Sequence, residues 1–215
     1  MRTLIVLAFL LNPLFSEAIE PYSCRNGRFP SQITDIRQAK VSTTENGRLH
    51  FRDDMKGCPD SAQCFQKAYL VAGDKLLVSE STDDWTCGWF FGKKREFVGW
   101  LPTRHLEISP VEPVHPLGDW AGIWSSSWDS GEITIELKDG ELEVSGNAYW
   151  YGLGGNANEG SIGGKGTPVG DLLTLDDSYS CTVRMRLVSS YLIVTDNGHC
   201  GGMNVRFDGI YRRSP

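Results

Sequence analysis

Six cysteines, one of them beside a histidine at His199-Cys200, are the residues of this chain best equipped to do chemistry. A thiol next to an imidazole suggests a nucleophile. However, neighbours on a strand point to opposite faces, and a bridged sulfur carries no thiolate. An even cysteine count in an exported chain reads as disulfides. Cys58 and Cys64 bracket one loop, and Cys181 and Cys200 sit on neighbouring predicted strands, which leaves Cys24 for Cys87. The competing use is a zinc site, but the spacings lack the paired Cys-x-x-Cys knuckles of structural zinc. Asp176-Asp177 and Asp196-Asn197-Gly198 offer oxygen donors to calcium, yet short acidic clusters of this kind are read as turns. There is no Gly-x-Ser-x-Gly elbow and no His-Glu-x-x-His pair. The glycine-rich run Gly152 to Gly166 lacks the Lys-Ser/Thr of a phosphate loop and reads as a flexible loop at a barrel mouth. The expectation is a binding protein with no catalytic residue, no metal and no cofactor.

Aromatic side chains are then the natural ligand platforms. Tyr69, Trp85 and Trp89 are candidates to stack on a sugar ring or a peptide wherever one of them lies on the outer face near the Cys58 to Cys64 loop. Trp150 and Tyr151 stand before the glycine run and could line an entrance. Trp100, following Gly99 in a β corner, is assigned to a core.

The elements that must position these residues are strands. Trp85 to Leu106 contains two aromatic strand patterns flanking the charged tip Gly92 to Arg95, and Lys93-Lys94-Arg95 is a solvated turn. Arg48 to Asp54 alternates Leu49 and Phe51 with His50 and Arg52, the pattern of a half-buried strand. Residues 19 to 47 form a polar arm with at most one short strand near Ile33 to Val41. Ser109 to Pro116, with prolines at 110, 113 and 116, is an extended spacer and the domain boundary, and His115 in it is a solvated loop residue. Beyond it, residues 117 to 215 carry ITIEL, ELEVSGNAYW, DLLTL, CTVRMRL, YLIVTD and NVRFDGIYR with short turns such as Asp139-Gly140 between them. That is a meander, and closing it into a small up-and-down barrel removes the exposed edges of a flat sheet.

Residues 48 to 108 resemble the bacterial SH3-like domain. The match rests on Gly73-Asp74 before LLVSE, then Trp85, then Gly99-Trp100-Leu101-Pro102, in the family's order. The resemblance implies a small barrel that binds cell-wall material. The segment Asp53 to Gln66, with its two cysteines, replaces the family's first short turn by a longer insertion beside the usual ligand groove. The opening Gly118-Asp119-Trp120 and the late Arg212 resemble the lipocalin-like group, and Leu192 to Arg212 resembles the ending of uncharacterised exported bacterial proteins that pair an SH3-like half with such a barrel. The fold expected is therefore all-β: an N-terminal SH3-like small barrel followed by a small up-and-down, lipocalin-like β-barrel.

At the start, Arg2, the apolar run Leu4 to Leu11 and the small residues Ser16 and Ala18 form a secretory signal peptide, with cleavage near Ala18. The apolar run is shorter than the roughly 20 residues of a membrane-spanning helix, so stable membrane insertion is not expected. A formal net charge of -6 disfavours nucleic acid as a partner. Together these predict a periplasmic or secreted module whose partner is a cell-wall glycan or peptide, or an envelope protein. Small barrels of this size include inhibitors of lysozyme-type wall hydrolases, which supplies the alternative expectation.

Overall fold

The computed structural model describes residues 23–25, 28–82, 84–93, 95–110, 114–126, 131–152, 154–177 and 180–214. The signal-peptide segment and its cleavage position lie outside them. The chain is all-β, built of two antiparallel sheets with short 3-10 turns and, among the described residues, no α-helix.

The first sheet has seven strands: β1 (Arg37–Val41), β2 (Leu49–Arg52), β3 (Phe65–Leu70), β4 (Lys75–Ser81), β5 (Trp85–Phe91), β6 (Glu96–Pro102) and β7 (Leu106–Ile108). Their order is β3-β2-β6-β5-β4-β1-β7. Strand β1 comes from the polar arm yet pairs with both β4 and β7, so this barrel-like unit begins before residue 48. Its interior is filled by Val41, Leu49, Phe51, Leu70, Val78 and Leu101. Alternation along β2 sends Leu49 and Phe51 inward and leaves His50 and Arg52 half-buried on the outer face.

The second sheet has eight strands: β8 (Gly122–Ser126), β9 (Glu132–Lys138), β10 (Glu141–Tyr151), β11 (Ala157–Gly166), β12 (Leu172–Asp176), β13 (Thr182–Val188), β14 (Tyr191–Asp196) and β15 (Gly209–Arg213). Each pairs with its neighbour in sequence except β11 and β12, which come up against one another without a ladder, and β15 returns to β8, giving a nearly closed up-and-down barrel. Asp139 and Gly140, with φ of 52° and 84°, make the tight hairpin turn between β9 and β10. The glycine run is not a loop over most of its length: Ala157 to Gly166 pairs with β10 through ten consecutive positions. Glycine is needed there for close approach. A Cβ on Gly160 would lie 2.5 Å from the Cys200 carbonyl oxygen and 2.7 Å from Val205 Cγ1. Side chains including Trp120, Trp124, Met185, Phe207 and Tyr211 fill the barrel.

The two sheets share a core. The outer face of the first sheet (Leu77, Cys87, Trp89, Trp100) is covered by Phe29, Ile33 and Ile36 of the arm and by Val188, Ile193 and Ile210 of the second barrel. Arg186 is buried at this junction; its Nη1 donates to the carbonyls of Ile33, Thr34 and Ile36 at 2.9, 3.0 and 2.8 Å, and its Nε donates to Asp171 at 2.6 Å. The proline-rich stretch 109–116, of which residues 111–113 lie outside the described set, therefore joins units packed together and does not hold them apart. Three disulfides join Cys24 to Cys87, Cys58 to Cys64 and Cys181 to Cys200, the pairing that chain locality selects.

Candidate functional site

Among the described residues, strand β3 ends the first sheet, with only β2 beside it. Phe65, Lys67 and Tyr69 alternate outward along it and are all exposed. A register shift separates the pairs His50 with Tyr69 and Arg52 with Phe65. The shift spans an even number of residues and so leaves these side chains on one face. Two guanidinium groups reach from β2 and its preceding turn onto the β3 rings: Arg52 stands 3.4 Å above the Phe65 ring and Arg48 4.6 Å from the Tyr69 centroid. Cation–π attraction of this kind orients the guanidiniums without neutralising them. His50 lies between, 6.0 Å from the Phe65 ring and 5.5 Å from Tyr69, with Nδ1 at 3.0 Å from the Gln66 carbonyl.

The disulfide loop holds Arg52 from behind. Its Nη1 donates to the carbonyls of Ser61 at 3.2 Å and Pro59 at 3.5 Å. Burial lowers the pKa of this guanidinium, since its charge loses water while its hydrogen-bond acceptors are neutral carbonyls. Trp85 completes that end: its ring is 5.4 Å from the Arg52 guanidinium, and its Nε1 donates to Asp60 at 3.0 Å. A cleft of about 480 Å³ lies here, lined by Glu45, Arg48, His50, Arg52, Phe65 and Pro102 among others.

The rim is fixed by a polar chain. Thr43 Oγ1 is 2.8 Å from His105 Nδ1, His105 Nε2 is 3.3 Å from Glu45, and Arg104 donates to the same carboxylate at 2.7 Å. Hydroxyl, imidazole and carboxylate stand in the order of a nucleophilic relay, but Glu45 is exposed and paired with Arg104. The chain fastens the β1–β2 connection to the turn Thr103–His105. Hydrogen bonding from Arg104, and then from His105, holds the Glu45 carboxyl below its ordinary pKa.

Of the aromatic residues singled out in the sequence, Tyr69 and Trp85 belong to this face. Trp89 does not. Only 2% exposed, it packs edge-on against Tyr191 of β14 and donates from Nε1 to Glu96, so it is a junction residue closed to any ligand from solvent. Period-two alternation could not tell which face of β5 the second barrel would cover. Trp100 is buried at the same junction and donates to Asp54. Trp150 and Tyr151 are exposed at the far end of the β10–β11 ribbon, where Tyr149 and Tyr151 stack with centroids 6.4 Å apart. Phe65, Arg48 and Arg52 were not singled out from the sequence. The alternation of Arg48 to Asp54 was the signal available for the arginines.

His199 is exposed beside a separate cleft of about 430 Å³, but Cys200 is bridged to Cys181 and offers no thiolate. The Asp196 carboxylate accepts from the backbone N–H groups of Gly198 and Phe207 and pairs with Arg206 at 3.6 Å, which is the work of a turn residue. No family model matches this chain, and neither the curated proteins nor the solved structures contain a match to it.

Proposed function

We propose that this chain is an exported, non-enzymatic binding module of the bacterial periplasm or cell envelope, recognising cell-wall material or an envelope protein through the β2–β3 face. One observation carries the reading: the guanidiniums of Arg48 and Arg52 stand over the exposed rings of Tyr69 and Phe65 at a cleft, and neither arginine makes an ion pair among the described residues. A charged, partly desolvated group held by neutral carbonyls, with Glu45 and Asp60 attracting it only from beyond contact, stabilises a fold poorly, whereas it suits recognition of a polar ligand. Three disulfides in 215 residues fit an oxidising compartment outside the cytoplasm. Among the described residues, no helix is long and apolar enough to cross a membrane. The SH3-like resemblance of residues 48 to 108 supports a wall-binding role.

The test is co-purification of the disulfide-intact protein from an envelope extract, alongside retention on purified peptidoglycan, for the wild type and for Arg52→Gln and Tyr69→Ala. Loss of captured material in both variants is expected. Capture that is unchanged in both would remove this face from the function.

A second reading has its own observation. The β10–β11 ribbon carries Tyr149, Trp150 and Tyr151 at its far end, and a projecting aromatic tip is a shape that fits the cleft of a wall hydrolase. Stoichiometric loss of lysozyme activity on titration, abolished by Tyr151→Ala, is its expected signature; full activity at micromolar protein would sink it.

A further inference from the structure

Resting on the reading of the β2–β3 face as the binding surface, we infer that its ligand is an extended acidic peptide segment of a partner protein, added as a strand along β3 with carboxylates at alternate positions. The open edge supplies the backbone half of the argument. Among the described residues strand β3 is terminal in the sheet, so an incoming extended segment can complete a ladder on its outer side, the β-augmentation mode of recognition.

The side chains define the sequence the peptide must carry. Phe65, Lys67 and Tyr69 share the outer face, and the Arg52 and Arg48 guanidiniums lie over the first and last of them. Positive charge thus recurs at every second residue of β3: Arg52 at Phe65, Lys67 itself, Arg48 at Tyr69. The register shift takes up two extra residues of β3 between Phe65 and Tyr69, and the two rings stand 6.0 and 5.5 Å from His50, so the outer two sites lie closer than the roughly 13 Å between residues i and i+4 of a regular strand, within reach of carboxylate side chains at alternate positions. A segment of the form acid-x-acid-x-acid places one carboxylate opposite each cation. The nearby acids make no contact with the strip: Glu45 is held by Arg104 and His105, Asp60 accepts from the neutral Trp85 indole, and both attract Arg52 only at a distance.

Charge also decides against a second copy of this chain as the occupant. Pairing β3 with β3 would set two rows of Arg48, Arg52 and Lys67 against each other, and like charges facing across strands are unfavourable. The chain as a whole is acidic at -6, so this basic strip runs against its general charge and suits a partner of opposite sign.

The experiment is fluorescence anisotropy with the full disulfide-bonded protein and a labelled nine-residue probe alternating glutamate with threonine. Saturable binding is expected, weakened about fivefold or more by Lys67→Glu, an exposed reversal that leaves the core untouched. Arg52→Gln should weaken it similarly. A probe N-methylated at alternate backbone nitrogens should bind at least about tenfold more weakly if a ladder forms. The lysine-for-glutamate probe should not bind. Equal binding of the N-methylated probe would overturn strand addition, and binding that ignores Lys67→Glu would overturn the charge register. If no acidic probe binds while envelope capture still depends on Arg52, the peptide assignment fails and the binding face stands. If capture is indifferent to Arg52 as well, both fail.

Discussion

Replacing Arg186 by methionine removes one guanidinium and keeps most of the side chain's apolar volume. In the native protein this group is the polar plug of the junction between barrels, contributed by β13 to three carbonyls of the arm and to Asp171. The three carbonyls share Nη1, which has two hydrogens, so at most two full hydrogen bonds to the arm are lost. Each buried acceptor left without a donor costs about 1–3 kcal/mol, and a charged donor stands toward the upper end. Asp171 contributes less, because its side chain is 30% exposed against 4% for Arg186, and water screens the charge left behind. The expected total is about 3–5 kcal/mol, a large part of the roughly 5–15 kcal/mol that holds a typical domain. For a chain of this length that lowers Tm by about 6–20 °C. Near-ultraviolet circular dichroism during thermal unfolding measures it, with urea titration as a second readout. Asp171→Asn is the internal comparison: it keeps an acceptor for Nε but leaves the buried guanidinium without its counter-ion, so it should cost about 1–3 kcal/mol, less than Arg186→Met. An Arg186→Met loss no larger than that of Asp171→Asn would refute the reasoning. So would melting in two separate transitions with the arm's barrel unaffected, since both outcomes mean that the junction does not couple the units.

Removing the Cys24–Cys87 bridge, which closes 63 residues, should cost about 2–4 kcal/mol and speed tryptic cleavage at Arg25 or Arg28, read on a gel under native conditions. Trp89→Ala should destabilise by about 3–5 kcal/mol, while Tyr69→Ala stays within about 0.5 kcal/mol, a contrast that chemical denaturation of the two variants measures. Gly160→Ala forces a Cβ against backbone of Cys200 and Gly201 and should destabilise the barrel seam, seen as faster amide exchange along β11. Because the Glu45 pKa is depressed in the fold, its contribution to stability is present above the unfolded value of 4.5 and fades as pH falls through the lower folded value. Glu45→Gln should therefore be less stable than the wild type at neutral pH, and the two should converge in acid, as melting curves across pH 2 to 7 will measure.

Chain-local information was enough for much of this architecture. Alternation in β9 and β10 marks half-buried strands, Asp139-Gly140 marks a hairpin, and the closeness of Cys58 to Cys64 and of Cys181 to Cys200 leaves one partner for Cys24. The glycine run misled for a physical reason: glycine weakens intrinsic strand preference, but at Gly160 and Gly201 the seam between β11 and the Cys200–Val205 segment has no room for a Cβ, and the ladder with β10 supplies the order that local preference withholds. The binding face was half legible. Alternation put His50 and Arg52 on one side of a strand, and Tyr69 and Trp85 stood out as aromatics. That the arginines rise over Phe65 and Tyr69 depends on how the disulfide insertion returns the chain to pair β3 with β2, a non-local register. The junction was decided by tertiary structure alone. Trp89 and Arg186 look like an outward aromatic and a strand charge until the arm and the second barrel close over them, because burial is a property of what packs against a residue, and those partners lie up to 153 residues away.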